Sequence, residues 1–270
     1  MPELPDVEGF REVLASCTRD RAITGVTVYD PGVLHGVSPG RLGRALSGHR
    51  LGEPRRHGKW LLAPVDAGGG APSAGPTLLM HFGMTGRLLC RSGSDPLHPH
   101  DRIVLALGDD QLRYRDQRKL KGWWLTSDVG AVLGGQGPDA WEIDRAEFEE
   151  ALGNRRGGVK STLIDQSVLA GLGNLLADEI LWRARLHPAR RASELSPQER
   201  RRLHTDMRRV LRTAVPTGAV PPRASWLTGH RDDPEAECPR CGTSLERDRV
   251  AGRSTVWCPH CQPPGGTGSG

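Results

Sequence analysis

The sequence predicts an α+β protein: an N-terminal antiparallel β-sandwich with a leading helix, then a helical region that ends in a cysteine-rich finger. Three observations predict this. Short apolar runs separated by turn residues crowd the stretch from 23 to 126. Helical periodicity replaces them from Trp141 onward. Four of the six cysteines fall within the last thirty-three residues, as two Cys-x2-Cys pairs. Closely spaced short strands indicate a sandwich or barrel, and paired cysteine knuckles indicate metal.

The chain opens Met1-Pro2-Glu3-Leu4-Pro5. Prolines suit the first turn of a helix. Once Met1 is removed, Pro2 would also carry an N-terminal secondary amine. An α-amino group titrates near ~8, so part of it is uncharged and nucleophilic at neutral pH. Glu3 stands beside it as a proton carrier. Val7, Phe10, Val13, Leu14 and Cys17 then recur at helical spacing, which predicts a helix over 6–18 with Cys17 as a small core residue.

Strands are expected at 23–28, 60–65, 77–82, 86–90, 103–107, 111–115 and 122–126, with a flexible Gly/Ala/Ser/Pro loop at 68–76. Arg55-Arg56-His57-Gly58-Lys59 is a basic strand edge, and His81 to Gly86 a Gly-bracketed turn carrying Met84. Four glycines and a proline between 130 and 138 mark the end of the β-region.

Asn174 reads as an N-cap with acids in the following turn, for a helix ending near His187-Pro188. Ser196, Pro197 and Glu199 form a capping box, and Leu203, Met207, Val210, Leu211 and Ala214 form the buried stripe behind it. Ten arginines against three carboxylates between Arg183 and Arg212 make either a solubilising face or a phosphate contact. Cys238, Cys241, Cys258 and Cys261 stand in a C-x2-C-x16-C-x2-C array. That spacing fits one structural zinc ion with all four positions filled by protein. The ion would fix the hairpin over 245–257 with Arg253 near its tip.

Net charge is +5 with pI about 9.1, which suits a polyanionic partner. No stretch approaches the ~20 apolar residues of a membrane span, and no secretory signal is evident. Cysteines clustered for metal suggest a reducing, cytoplasmic setting rather than a disulfide framework.

Taken together, the Pro-Glu-Leu-Pro start, the β-rich first half, the helices around Gly171-Leu172-Gly173-Asn174 and the terminal four-cysteine finger resemble the formamidopyrimidine-DNA glycosylase/endonuclease VIII family. The resemblance covers about Pro2 to Gln262. It implies a catalytic β-sandwich domain at 1–135, a helix–two-turn–helix DNA-binding domain at 136–228, a zinc finger at 229–262 and a disordered tail at 263–270. It implies a monomeric bifunctional glycosylase and abasic-site lyase of base excision repair, acting on double-stranded DNA with damaged bases or abasic sites, in the cytoplasm or on the nucleoid of a bacterium. The flipped nucleotide would be attacked at C1′ by Pro2, with Glu3 opening and protonating the sugar and Lys59 at the lesion and its phosphate. Asn174 and Arg253 would grip flanking phosphates, Met84 would enter the vacated stack, and Arg118 would reach the orphaned base. A non-catalytic damage-binding protein on the same scaffold is the alternative. Two departures bear on the substrate. Arg118-Lys119-Leu120-Lys121 replaces the family's Arg-Arg-Phe, and the segment 218–238 is short for a loop covering 8-oxoguanine. The Leu-Pro-Asp continuation favours the purine-type branch.

Overall fold

The computed structural model describes residues 1–66, 75–153 and 155–264. Most of the expected loop at 68–76 and of the expected tail at 263–270 therefore lies outside the described residues. The chain clusters into two compact units, Met1–Pro2 with Asp6–Gly134, and Glu3–Pro5 with Gly135–Gly270.

The first unit begins with α1 (Leu4–Thr18), β1 (Gly25–Val28), β2 (Leu34–His35) and α2 (Pro39–Leu46). Short strands β3 (Arg50–Leu51) and β4 (Arg55–His57) lead to β5 (Trp60–Asp66) and β6 (Thr77–His81). Then come β7 (Arg87–Ser92), β8 (Asp101–Leu107), β9 (Asp110–Arg115), β10 (Trp123–Thr126) and α3 (Val129–Leu133). One sheet has the order β1-β8-β9-β7, and the other β2-β10-β6-β5-β3 with β4 also on β5. Alternation decides the faces: Leu61, Ala63 and Val65 of one sheet and Ile103, Leu105 and Leu107 of the other point into a shared core. Val7 and Leu14 of α1 join it, with Leu42 and Leu46 of α2.

Three features depart from expectation. The pair β2–β10 is parallel, Trp123 opposite Leu34, whereas the other described strand pairs are antiparallel. Helix α2 was not foreseen: Ser38 caps it, accepting from the Arg41 N–H at 3.3 Å, but only Leu42 and Leu46 are fully buried, with Ala45 packed beside them. Cys17 is buried, as a core residue should be, yet it is disulfide-bonded to Cys90. The reading of Cys17 as simply a small core residue is therefore corrected to a buried, disulfide-bonded one. A pairing across 73 residues leaves no local trace in the sequence.

In the second unit, α4 (Arg145–Gly153), α5 (Val159–Ile164), α6 (Asn174–Arg183) and α7 (Pro197–Ala214) precede the hairpin β11 (Glu246–Val250) and β12 (Arg253–Trp257). The capping box on α7 is present in both directions, Glu199 N–H to Ser196 Oγ at 3.2 Å and Ser196 N–H to Glu199 Oε2 at 2.8 Å. Leu4 packs here with Phe148, Leu163, Ile180, Met207 and Leu211. A smaller apolar cluster, including Trp182, Leu227, Cys238, Val256 and Cys258, ties α6 to the finger.

Candidate active site and nucleic-acid interface

Glu3 is 1% exposed and sits on the N-terminus of α6. Its Oε2 accepts from the N–H groups of Gly173 at 2.9 Å and Leu176 at 3.1 Å, and its Oε1 from Leu175 at 2.8 Å. These are donors that a helix start leaves without intrahelical partners, at its positive end. Asn174 is therefore not the N-cap expected from sequence. Gly173 occupies that position without a side-chain bond, and the Glu3 carboxylate from far along the chain does the capping. The Leu4 N–H also donates to Gly171 O at 3.0 Å. Gly171 has φ of 113° and lies against Leu4, so its lack of a side chain serves both the backbone and the approach.

Freed from capping, Asn174 donates through Nδ2 to the Ser254 carbonyl at 2.8 Å. This brings Asn174 next to Arg253, the first residue of β12. Beneath them lies an ionic cluster that sequence reasoning missed. Lys160, fully buried, reaches Asp178 Oδ1 at 2.6 Å and Thr255 Oγ1 at 2.7 Å. Arg231 pairs with Asp178 Oδ2 and donates to Ser254 O at 2.5 Å. Burial pulls the Lys160 ammonium below its ordinary range and pushes the Asp178 carboxyl above its own, while their mutual attraction opposes both shifts. Asp178 lies one turn after Asn174 on α6, the single local hint available; Lys160 and Arg231 come from distant segments.

The four terminal cysteines converge. Their sulfurs all lie within 4.8 Å of one another. The Cys241–Cys258, Cys241–Cys261 and Cys238–Cys261 separations are 3.5, 3.6 and 4.0 Å. A tetrahedron with Zn–S bonds of about 2.3 Å has edges of about 3.8 Å, close to these three separations, so the set fits one zinc ion.

In the first unit, Lys59 is buried to 8% exposure and follows Gly58, whose φ of 55° makes the tight turn between β4 and β5. Pro2 is partly buried. The turn after β6 brings Met84 to Arg118, whose Nη1 lies 2.9 Å from the Met84 sulfur. Leu120, 49% exposed, packs beside Gly83 of the same turn. His81 Nδ1 accepts from the Gly83 N–H at 3.0 Å, which fixes the turn's entry. Burial, then the Lys121 and Lys59 charges, pull His81 down to about 4, so it is neutral at physiological pH. Trp60 stands edge-on to both His81 and Trp124, and His35 stacks on Trp124.

A β-sandwich, a helical unit that captures an N-terminal glutamate and a four-cysteine finger define a class of DNA-repair glycosylases. Family models match in succession: the formamidopyrimidine-DNA glycosylase N-terminal domain over 1–123, its H2TH domain over 135–223, and the zinc finger found in FPG and IleRS over 237–264. The chain belongs to the formamidopyrimidine-DNA glycosylase family. It is 35% identical to the formamidopyrimidine-DNA glycosylase of Salinispora arenicola, covering 97% of this chain and 96% of that one. With that of Acidothermus cellulolyticus the identity is 36%, covering 97% and 98%. Among solved structures, a Lactococcus lactis FPG mutant in complex with Fapy-dG DNA aligns with a TM-score of 0.86 at 28% identity, covering 97% of this chain and all (100%) of that one. The Lactococcus lactis Fpg complex with abasic-site DNA gives 0.84 at 28% identity, with the same coverage of 97% and 100%.

Proposed function

We propose that this chain is a DNA glycosylase of base excision repair that removes an oxidised or ring-opened base from duplex DNA and then cuts the strand. The observation that carries the reading is the Glu3 carboxylate, fixed by three N–H groups of the second unit one residue after Pro2. A carboxylate buried this deliberately, adjoining a residue able to present a secondary amine, suits proton transfer during amine chemistry.

The amine of Pro2, freed by loss of Met1, attacks C1′ of the flipped nucleotide. The C1′–N bond breaks and the base leaves with a proton. Ring opening gives an iminium between Pro2 and C1′, with Glu3 protonating the departing sugar oxygen. Loss of a C2′ proton expels the 3′ phosphate, and a second elimination expels the 5′ phosphate. Lys59 stands by the lesion phosphate, Asn174 and Arg253 hold flanking phosphates, and Met84 with Arg118 fills the vacated position. Zinc, held by Cys238, Cys241, Cys258 and Cys261, supplies folding rigidity to the finger and no reactive position. Such DNA lies in the cytoplasm, on the nucleoid of a bacterium, and the chain would act there.

Borohydride trapping on abasic-site DNA tests the reading. A Schiff-base enzyme becomes covalently linked to the DNA, through Pro2, and only when Met1 is absent. Tight binding without a trapped species would instead identify a damage-binding protein.

A further inference from the structure

One side chain at the finger is not accounted for by DNA chemistry. Trp182, 4% exposed in the last turn of α6, donates its indole N–H to Cys238 Sγ at 3.3 Å. The Arg240 guanidinium, from the same knuckle, lies 4.1 Å over that indole, and its Nη1 donates to the Trp182 carbonyl at 3.1 Å. A buried indole N–H ordinarily finds a partner. The partner here is a zinc-ligand sulfur, a weak acceptor as a thiol and a far better one as a metal-bound thiolate.

We propose that Trp182 is a positioning residue of the zinc site, an outer hydrogen-bond donor to the Cys238 thiolate that anchors the C-terminal end of α6 to the metal. This rests on the zinc reading above. Zinc with four thiolates is a dianion, and Cys238 and Cys258 are buried. The indole N–H and the Arg240 cation both offset that charge, and the N–H also fixes the orientation of the ligand. The same ten-residue helix holds the Glu3 carboxylate at its opposite end, about 12 Å away along the axis. Zinc occupancy is thereby felt by the helix that positions Glu3, with no direct contact between them.

Trp182→Phe removes the N–H and keeps an aromatic ring. Two readouts separate hydrogen bonding from space filling. In the cobalt(II)-substituted protein, the sulfur-to-cobalt charge-transfer band of Trp182→Phe should move to lower energy, because the thiolate regains electron density. Release of zinc to excess chelator should accelerate by about 10-fold or more, the scale on which outer partners tune metal sites. If Trp182→Phe lowers only the melting temperature, with band and release rate unchanged, the indole is packing and the proposal is overturned. Should that variant not fold, the unaltered chain decides. Loaded with an NMR-active cadmium isotope, it should show scalar coupling between the metal and one indole N–H proton. Cadmium bound by the four cysteines without such coupling overturns the proposal. Absence of zinc from the purified parent protein would overturn the zinc reading instead, a separate result.

Discussion

A Cβ on Gly173 would lie 2.3 Å from the Glu3 Cδ, far inside contact distance. The Gly173 backbone, at φ of −124°, is open to any residue, so the glycine is required by proximity alone. Gly173→Ala should force the carboxylate off the α6 N–H groups, cost about 1–3 kcal/mol of stability and reduce base excision. Chemical denaturation and a single-turnover excision assay check this. An alanine variant with parental stability and rate would refute it.

Glu3 and Arg253 should fail in different ways. Glu3→Gln retains an acceptor but places an amide against backbone donors. It should leave the salt dependence of DNA affinity nearly intact while excision falls by about 10²–10⁴-fold. Arg253→Ala should weaken binding to many duplexes alike and flatten the slope of log K against log salt by about one. Titrations on one abasic-analogue duplex at several salt concentrations, with turnover followed separately, distinguish them. Reversed outcomes would exchange the two roles.

Asp178→Asn should leave the Lys160 and Arg231 cations buried beside a neutral amide. Loss of one partner from a buried charge group costs about 3–5 kcal/mol. The second unit should lose stability by that order, and DNA affinity should fall with it, because the chain around Ser254 loses its support. Equilibrium urea unfolding of the otherwise unaltered chain, followed by far-UV circular dichroism, reads the change.

Burial and the Lys121 and Lys59 charges lower His81 from 6.5 to about 4. Between those values the unfolded chain takes up a proton that the folded chain refuses. The stabilisation is fully present above about 6.5 and declines as pH falls toward 4, approaching roughly 3 kcal/mol lost at the bottom of the window. His81→Gln should remove this part of the acid slope in urea midpoints measured from pH 7 to 4. An unchanged slope would show that His81 is not its source.

Lesion choice should depart from that of a strict 8-oxoguanine enzyme, because Leu120, 49% exposed beside the Met84 turn, offers no aromatic ring for stacking. Ring-opened purines, oxidised pyrimidines and abasic sites should be processed at least as well as 8-oxoguanine opposite cytosine. A panel of duplexes with single defined lesions measures this directly. A clear preference for 8-oxoguanine over all the others would reject the expectation.

Sequence disclosed what is written locally. The strands from β5 to β10 carry alternation, α7 carries its capping box, and the cysteine knuckles carry ligand spacing. It did not disclose what is assembled across the chain. Nothing near Cys17 announces Cys90, and nothing near Lys160 announces Asp178. Asn174 shows why even a sound local rule can miss: a good capping residue was displaced because a glutamate 171 residues earlier took its task and left the amide to Ser254. Helix α2, with two fully buried positions in eight residues, was too short for periodicity to register.

The Ser254 carbonyl accepts from Asn174, Arg231 and Lys160, whereas the Ser254 side chain is exposed. Position 254 is thus recruited as a place on the backbone, indifferent to residue type. A catalogue of tolerated substitutions would pass over it as silent, although few points in the finger are held by more of the molecule. Anyone transplanting this finger onto another helical scaffold would have to carry the three donors along, and could leave residue 254 to chance.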